Sequence, residues 1–312
     1  MSDAEDRQLR SEVDASAEAH VRSKTPGKLA TLLDLVKFEH SIFALPYAYI
    51  GALYGVAAGR LLPPWSAVLW ITVAMVGARS FAFVLNRAID AEIDASNPRT
   101  AGRAIPAGHI RAGELLAFSL VVLGAFLFAV WQLHPITRYL WPIVLVAFLV
   151  YPYLKRFTWV CHYWLGLCLG LAPVGAWVAV TGDLGNPVPW VFGLAVLFWT
   201  AGFDIIYALQ DIDCDVRDHL HSAPVDFGVK ASLAQVKALH VLTWLLLIVA
   251  GRLVGAGWPY FAGVVVAAGL LGYENAIVKA DDFSRVNAAF FTMNGVIAVV
   301  VFAGALADRL LG

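Results

Sequence analysis

Charge is what this chain has least of. Asp, Glu, Lys and Arg make up 14% of its 312 residues, against roughly a quarter in soluble domains. That scarcity excludes an ordinary soluble globule, and a formal net charge of -1 excludes a strongly basic nucleic-acid binder. Cysteine is nearly absent: Cys161, Cys168 and Cys214 are odd in number and have no C-x-x-C spacing, so no disulfide framework or zinc knuckle is expected. An early apolar segment is missing too. Residues Met1 to Lys28 are polar and of mixed charge, which predicts a loosely ordered tail rather than a signal peptide.

What is abundant is apolar sequence, 60% of residues, gathered in runs long enough to cross a bilayer at roughly 20 residues each. The expected fold is an all-α integral membrane bundle of about nine transmembrane helices occupying 29–312, after a polar cytoplasmic tail, 1–28. The spans run from Leu29 to Ala58, Trp65 to Asn86, Gly113 to Leu133, Tyr139 to Leu154, Trp159 to Val180, Trp190 to Leu209, Ala234 to Val254, Trp258 to Val278 and Val286 to Leu306. One side collects Lys28, Arg99, Arg103, Arg111, Lys155, Arg156, Arg217, Lys230, Lys279 and Arg285, and the other only isolated arginines. The positive-inside rule places the rich side in the cytoplasm.

The few acids are not scattered. Asn86, Asp90 and Asp94 are spaced i, i+4, i+8 and close the second span. Asp204, Tyr207, Asp211 and Asp215 form a second ladder at the end of the sixth. Helical spacing stacks each set along one face, and an even number of spans between them puts both at the cytoplasmic end. Carboxylates beside a bilayer are costly and mark function. Oxygen-rich clusters suit Mg²⁺, usually held by one or two carboxylates plus substrate phosphates. Lys155, Arg156, Arg99, Arg103 and Arg217 supply phosphate-type cations on the same side. A charged head above an apolar bundle fits an isoprenoid diphosphate. A cation-coupled transporter, the rival of another class, would place its charges near mid-membrane instead. Each ladder is followed by a polar loop with a Pro and then a Gly, Pro106 and Gly108 in one and Pro224 and Gly228 in the other, which suggests internal duplication of a helix–loop–helix unit.

Two motifs carry a resemblance. Asn86-Arg87-x-x-Asp90-x-x-x-Asp94 resembles the N-D-x-x-D-x-x-x-D motif of the UbiA superfamily of intramembrane prenyltransferases, with Arg87 where the family has Asp. Tyr207, Asp211 and Asp215 match its Y-x-x-x-D-x-x-x-D motif. The resemblance implies that Asn86, Asp90, Asp94, Asp211 and Asp215 hold Mg²⁺ and diphosphate, with Tyr207 beside them and Lys155 on the diphosphate. It also implies transfer of a polyprenyl group from polyprenyl diphosphate to a small aromatic acid, at the cytoplasmic face of a bacterial cytoplasmic membrane, with no obligatory protein partner.

The segments Lys37 to Pro46 and Asn97 to Pro106 resemble bacterial quinone-pathway enzymes acting on 4-hydroxybenzoate or 1,4-dihydroxy-6-naphthoate. Leu45-Pro46 stands where the 4-hydroxybenzoate enzymes carry Arg-Pro, which favours naphthoate as the expected acceptor and leaves 4-hydroxybenzoate as the alternative. Glu39, His40, Arg79 and Asp204 are acceptor-binding candidates. Glu39 and His40 read equally as an interfacial pair, and Arg79 as a structural partner of a carboxylate. Phe38, Phe43, Tyr47, Tyr49, Tyr153, Trp164 and Trp199 are candidates for facing an allyl cation. His219 and His221 read as polar loop residues.

Overall fold

The computed structural model describes residues 31–32, 41–56 and 60–311. The 1–28 tail, Phe38, Glu39 and His40 lie outside the described residues.

The elements are α1 (Ser41–Gly55), α2 (Trp65–Ile89), α3 (Ala91–Ser96), α4 (Ala112–Gln132), α5 (Thr137–Leu154), α6 (Cys161–Thr181) and α7 (Pro187–Ala208). There follow α8 (Ile212–Arg217), α9 (Ala223–Phe227), α10 (Val229–Leu253), α11 (Trp258–Ile277), a π-helical turn (Ala288–Met293) and α12 (Asn294–Leu311). Among the described residues, eight helices are long and apolar enough to cross a membrane. They coincide with the second to ninth expected spans, and α1 is the described part of the first. Local chemistry sets several ends. Asn186 Oδ1 accepts from the Val188 amide at 3.0 Å and Pro187 opens α7, pairing an N-cap with a proline whose missing N–H costs nothing there. Gly182 ends α6 in the left-handed conformation, φ 72°, where a Cβ would be penalised.

The helices α6 and α7 form the centre. α6 packs on α7, α1 and α5, α7 on α10, and α12 returns to α1 and α11, while α2, α4 and α5 make a second wall. The central seam is built on glycine. A Cβ on Gly170 would sit 2.5 Å from the Gly193 carbonyl oxygen, and one on Gly193 2.8 Å from that of Gly170. In lipid, where apolar burial does not drive association, such close backbone approach is a main source of helix–helix attraction.

Each ladder departs from the continuous helix its spacing predicts. α2 stops at Ile89, and Asp90 (φ -95°, ψ 9°) joins it to α3. α7 stops at Ala208, and Asp211 (φ -110°, ψ 2°) opens α8. Both aspartates occupy the sparsely populated bridge region. Each short helix starts from the aspartate at the break, Asp94 N on Asp90 O and Asp215 N on Asp211 O, both 2.8 Å, while the Asp90 amide bonds Asn86 O at 2.9 Å and the Asp211 amide tightens to Ala208 O at 3.1 Å. The two units share one plan, long helix, break at the middle aspartate, short helix, loop, long helix, with the extra short helix α9 in the second loop.

Gly170→Val should drive α6 from α7 and lower the thermal midpoint in detergent, with a stability loss of about 1–3 kcal/mol as for other overpacked sites. Gly124→Val, where a Cβ meets nothing within 4 Å, should leave the midpoint nearly unchanged.

Candidate active site

Both ladders open onto one cavity of about 470 Å³. Its mouth carries Asn86, Asp90, Asp94, Asp204, Asp211 and Asp215 together with Arg87, Arg99, Arg103 and Lys155. Its lining follows α5 from Thr137 to Pro152, about 22 Å at 1.5 Å per residue, between α1, α2, α4, α5, α6 and α7. Away from the mouth the walls are apolar: Ile71, Ala78, Phe126, Val130, Leu140 and Val144.

The carboxylates are held by the chain's own cations. Asp90, buried, takes Lys155 Nζ on Oδ2 at 2.7 Å. Arg156 Nη2 lies 3.1 Å from Oδ1 without aligning as a donor, so Oδ1 is a buried acceptor with no hydrogen bond. Asp94, also buried, meets Arg103 at 2.6 Å and Arg87 at 3.4 Å. Asp211 is gripped on both oxygens by Arg99, Nε to Oδ1 at 2.9 Å and Nη2 to Oδ2 at 2.5 Å, and by Asn97 Nδ2 at 2.8 Å. Arg99 also donates to the Tyr207 hydroxyl at 2.9 Å. For Asp215, burial and then the charge of Asp211 push the carboxyl up to about 6, against the opposing pull of Lys155. Crowding of negative charge there is what a bound cation would relieve. Among the described residues no three acid, imidazole or thiol groups converge on one point.

A second layer fixes the first. The Ala223 amide donates to His162 Nε2 at 3.1 Å, so Nδ1 carries the proton and donates to Asp204 at 2.7 Å. The π-turn presents Phe290 to the cavity, its ring 4.2 Å from that of Tyr207. Asn294 steadies that turn. Its Nδ2 donates to the Ala289 and Phe290 carbonyls and to Glu274, while Oδ1 accepts from Trp199 Nε1 at 2.6 Å. Carbonyls freed by π-geometry thus gain a donor.

Two expected diphosphate contacts stand elsewhere. Arg217 is outside the cavity lining: its Nε bonds Asp218 at 2.9 Å and its Nη2 the Ser96 carbonyl at 2.9 Å, so it ties α8 to α3. Arg156 is also outside the lining, with Nη1 on the Pro152 carbonyl at 2.6 Å and Nη2 on that of Ile89 at 3.2 Å. It braces Asp90 from behind. Arg79 does line the cavity, its guanidinium 4.6 Å from the Phe83 ring centre. Of the described aromatic candidates only Phe43 lines the cavity. Tyr47 and Trp199 are fully buried in the core, and Tyr49, Tyr153 and Trp164 lie outside the lining. Tyr151, Trp141, Phe148, Phe203 and Phe290 line it instead. Their spacing in apolar helices carries no mark of this, because it depends on which neighbour each helix face meets. His162, Asn97 and His221 were likewise missed. The partners of His162 and Asn97 are 42 and 114 positions away.

The chain matches the UbiA prenyltransferase family over residues 44–296. It is 30% identical over 300 residues to a 4-hydroxybenzoate octaprenyltransferase of Cupriavidus metallidurans, covering 95% of this chain and 98% of that protein. To the protein of the same name in Tolumonas auensis it is 34% identical over 254 residues, covering 81% and 87%. The apo structure of a UbiA homolog from Aeropyrum pernix superposes with a TM-score of 0.79 at 31% identity, covering 87% of this chain and 98% of that one. A UbiA homolog from Archaeoglobus fulgidus bound to DMAPP and Mg²⁺ shares the fold, with a TM-score of 0.66 at 19% identity, covering 90% and 100%. With both ladders, the helical bundle and the full-length relatives in agreement, this chain is an integral membrane prenyltransferase and belongs to the UbiA prenyltransferase family.

Proposed function

We propose that the chain transfers a polyprenyl group from a polyprenyl diphosphate to an aromatic acid in quinone biosynthesis, with Mg²⁺ bound among Asn86, Asp90, Asp94, Asp211 and Asp215. The observation that carries this reading is the meeting of two carboxylate ladders and a ring of cations above an apolar cavity. The donor set fits the metal: hard oxygen ligands only, a buried Asp90 oxygen without a hydrogen bond, and no closed protein cage. Mg²⁺ characteristically completes such a site with substrate phosphate oxygens. When bound, it neutralises charge developing on the leaving diphosphate.

The chain's own residues do the rest. Arg99, Arg103 and Lys155 hold carboxylates in the free protein, and each would be released to contact the diphosphate if a bound metal took those carboxylates over. Arg87 adds a fourth cation where a further acid would otherwise stand. Apolar walls keep water from the allyl cation, and the faces of Tyr207, Phe203 and Phe290 can stabilise it. The excess of Lys and Arg at this end supports a mouth that faces the cytoplasm, in our reading that of a bacterial cell.

For the acceptor, the relatives' activity favours 4-hydroxybenzoate over the naphthoate expected from the sequence. One observation keeps 1,4-dihydroxy-6-naphthoate as the second reading: Leu45 stands before Pro46, so the arginine of the Arg-Pro pair is missing from α1. Arg79, within the cavity wall, is the candidate for the acceptor's carboxylate.

Asp90→Ala and Asp211→Ala should each lower turnover by roughly 100-fold or more, as loss of a preorganised electrostatic contact does, while the protein still purifies folded in detergent. Excess chelator should stop transfer and Mg²⁺ restore it. Near-normal rates in either variant, or transfer indifferent to chelator, would refute the ladder assignment. Offered both acids with a polyprenyl diphosphate, the purified protein should give a prenylated 4-hydroxybenzoate by mass. Product from the naphthoate alone would move the assignment to the second reading.

A further inference from the structure

Aromatic prenylation ends with loss of a ring proton, and the cavity's carboxylates are badly placed to receive it. Asp90 is on Lys155, Asp94 on Arg103, Asp211 on Arg99, and Asp204 on His162, while Asp215 belongs to the proposed metal site. Both nitrogens of His162 are engaged. One other imidazole lines the cavity, that of His221, with its side chain 43% exposed. Its Nδ1 lies 3.1 and 3.2 Å from the two oxygens of Asp226. An ionised carboxylate only accepts, so Nδ1 carries a proton, and in the neutral ring the lone pair is on Nε2. No described residue hydrogen-bonds Nε2.

The backbone is shaped to put this ring there. His219 adopts φ 54°, a left-handed conformation uncommon outside glycine though less so for His. It follows the overlapping bonds that end α8, Asp218 N to Cys214 O at 2.9 Å and Leu220 N to Asp215 O at 2.8 Å. The reversal sends the chain back over the cavity, where the His221 amide bonds the Lys155 carbonyl at 2.7 Å. The imidazole is thereby tied to the turn whose Lys155 holds Asp90.

We propose that His221 is a catalytic base and takes the ring proton of the acceptor on Nε2, with Asp226 as its positioning residue. The inference rests on the reading of an aromatic acceptor above. The C1–O bond of the prenyl diphosphate breaks with both electrons leaving on the diphosphate. A ring electron pair then forms the bond to C1. The C–H bond at that ring carbon breaks, its electrons restore aromaticity, and the proton passes to Nε2. Asp226 holds the imidazolium, which releases the proton to water at the exposed mouth.

The test compares wild type, His221→Gln and Asp226→Asn on ordinary and ring-deuterated 4-hydroxybenzoate, and on the same pair of 1,4-dihydroxy-6-naphthoates where the wild type uses only that acid. Binding of Mg²⁺ and inorganic pyrophosphate, read as a thermal shift, serves as the check that each variant is folded. His221→Gln should lose roughly 100-fold or more in kcat, the usual worth of a positioned base, with an unchanged KM for the prenyl diphosphate. It should also show a ring-deuterium isotope effect on kcat larger than the wild type's, because proton loss has become slow. Asp226→Asn should move both readouts the same way by less, and it carries the test if His221→Gln does not fold. Retained kcat overturns the proposal. So does a loss that appears as a raised donor KM without the isotope effect, which would make His221 a phosphate contact. A wild type that prenylates neither aromatic acid overturns the functional reading itself, and the base falls with it.

Discussion

A carboxylate at the edge of a bilayer has to be neutralised where it sits. Opposite charges 4 Å apart attract by about 4 kcal/mol at the effective dielectric of a protein's surface region, while a buried unpaired ion costs several kcal/mol. Asp90 and Asp94 are both almost wholly buried, so the ladders require cations within reach. That requirement orders the rest of the mouth. The loop after α3 folds back to bring Arg99 and Arg103 over the ladders. The turn between α5 and α6 brings Lys155, and Arg156 closes the rear. Arg99 and Asn97 link the two halves, because both come from the first unit and hold Asp211 of the second.

The repeated break at the middle aspartate follows from the same need. On unbroken helices the ladder residues would run straight out of the membrane along two separate faces. Bending each helix at Asp90 and Asp211, each of which then accepts the first bond of a short helix, turns the last turns over the cavity while holding all the carboxylates near it. The latch of Arg217 on Asp218 and Ser96 then joins α8 to α3, so the two bent ends stay in register.

The fold was legible because its signal is one of length and periodicity. Apolar runs, polar loops and the two ladders stand out without any knowledge of neighbours, and the second to ninth spans are reproduced to within five residues at each end. The two carboxylate ladders proposed to hold the metal were legible for the same reason, being repeated at fixed spacing. What stayed hidden depends on tertiary placement. Arg217 looks like a phosphate ligand by position and type, yet its adjacent Asp218 captures it. His221 looks like a loop histidine until Asp226 and the Lys155 carbonyl are seen on either side. Tyr47 and Trp199 read as cavity aromatics, but the face each turns inward belongs to the core. The bends at Asp90 and Asp211 leave no trace in a spacing that remains helical on both sides.

The two walls of the cavity are built to different tolerances, and the chemistry explains why. In α6 and α7 the most apolar stretch is 56% and 61% buried, and their glycine seam fixes backbone against backbone. In α2, α4 and α5 the corresponding shares are 33%, 22% and 17%, a wall one helix thick with much of its surface left for lipid. Ionisation of a diphosphate depends on charges held close to their working positions, since preorganised contacts do their work without rearranging. The tight side therefore carries the second ladder and the histidine that holds Asp204. A long apolar tail makes no such demand. It gains from area removed from water whatever its path, and within the thin wall α4 and the body of α5, which carry no ladder residue, can yield to it without moving the carboxylates. Rigidity on one face and compliance on the other let a single bundle bind a charged head closely and an extended chain loosely.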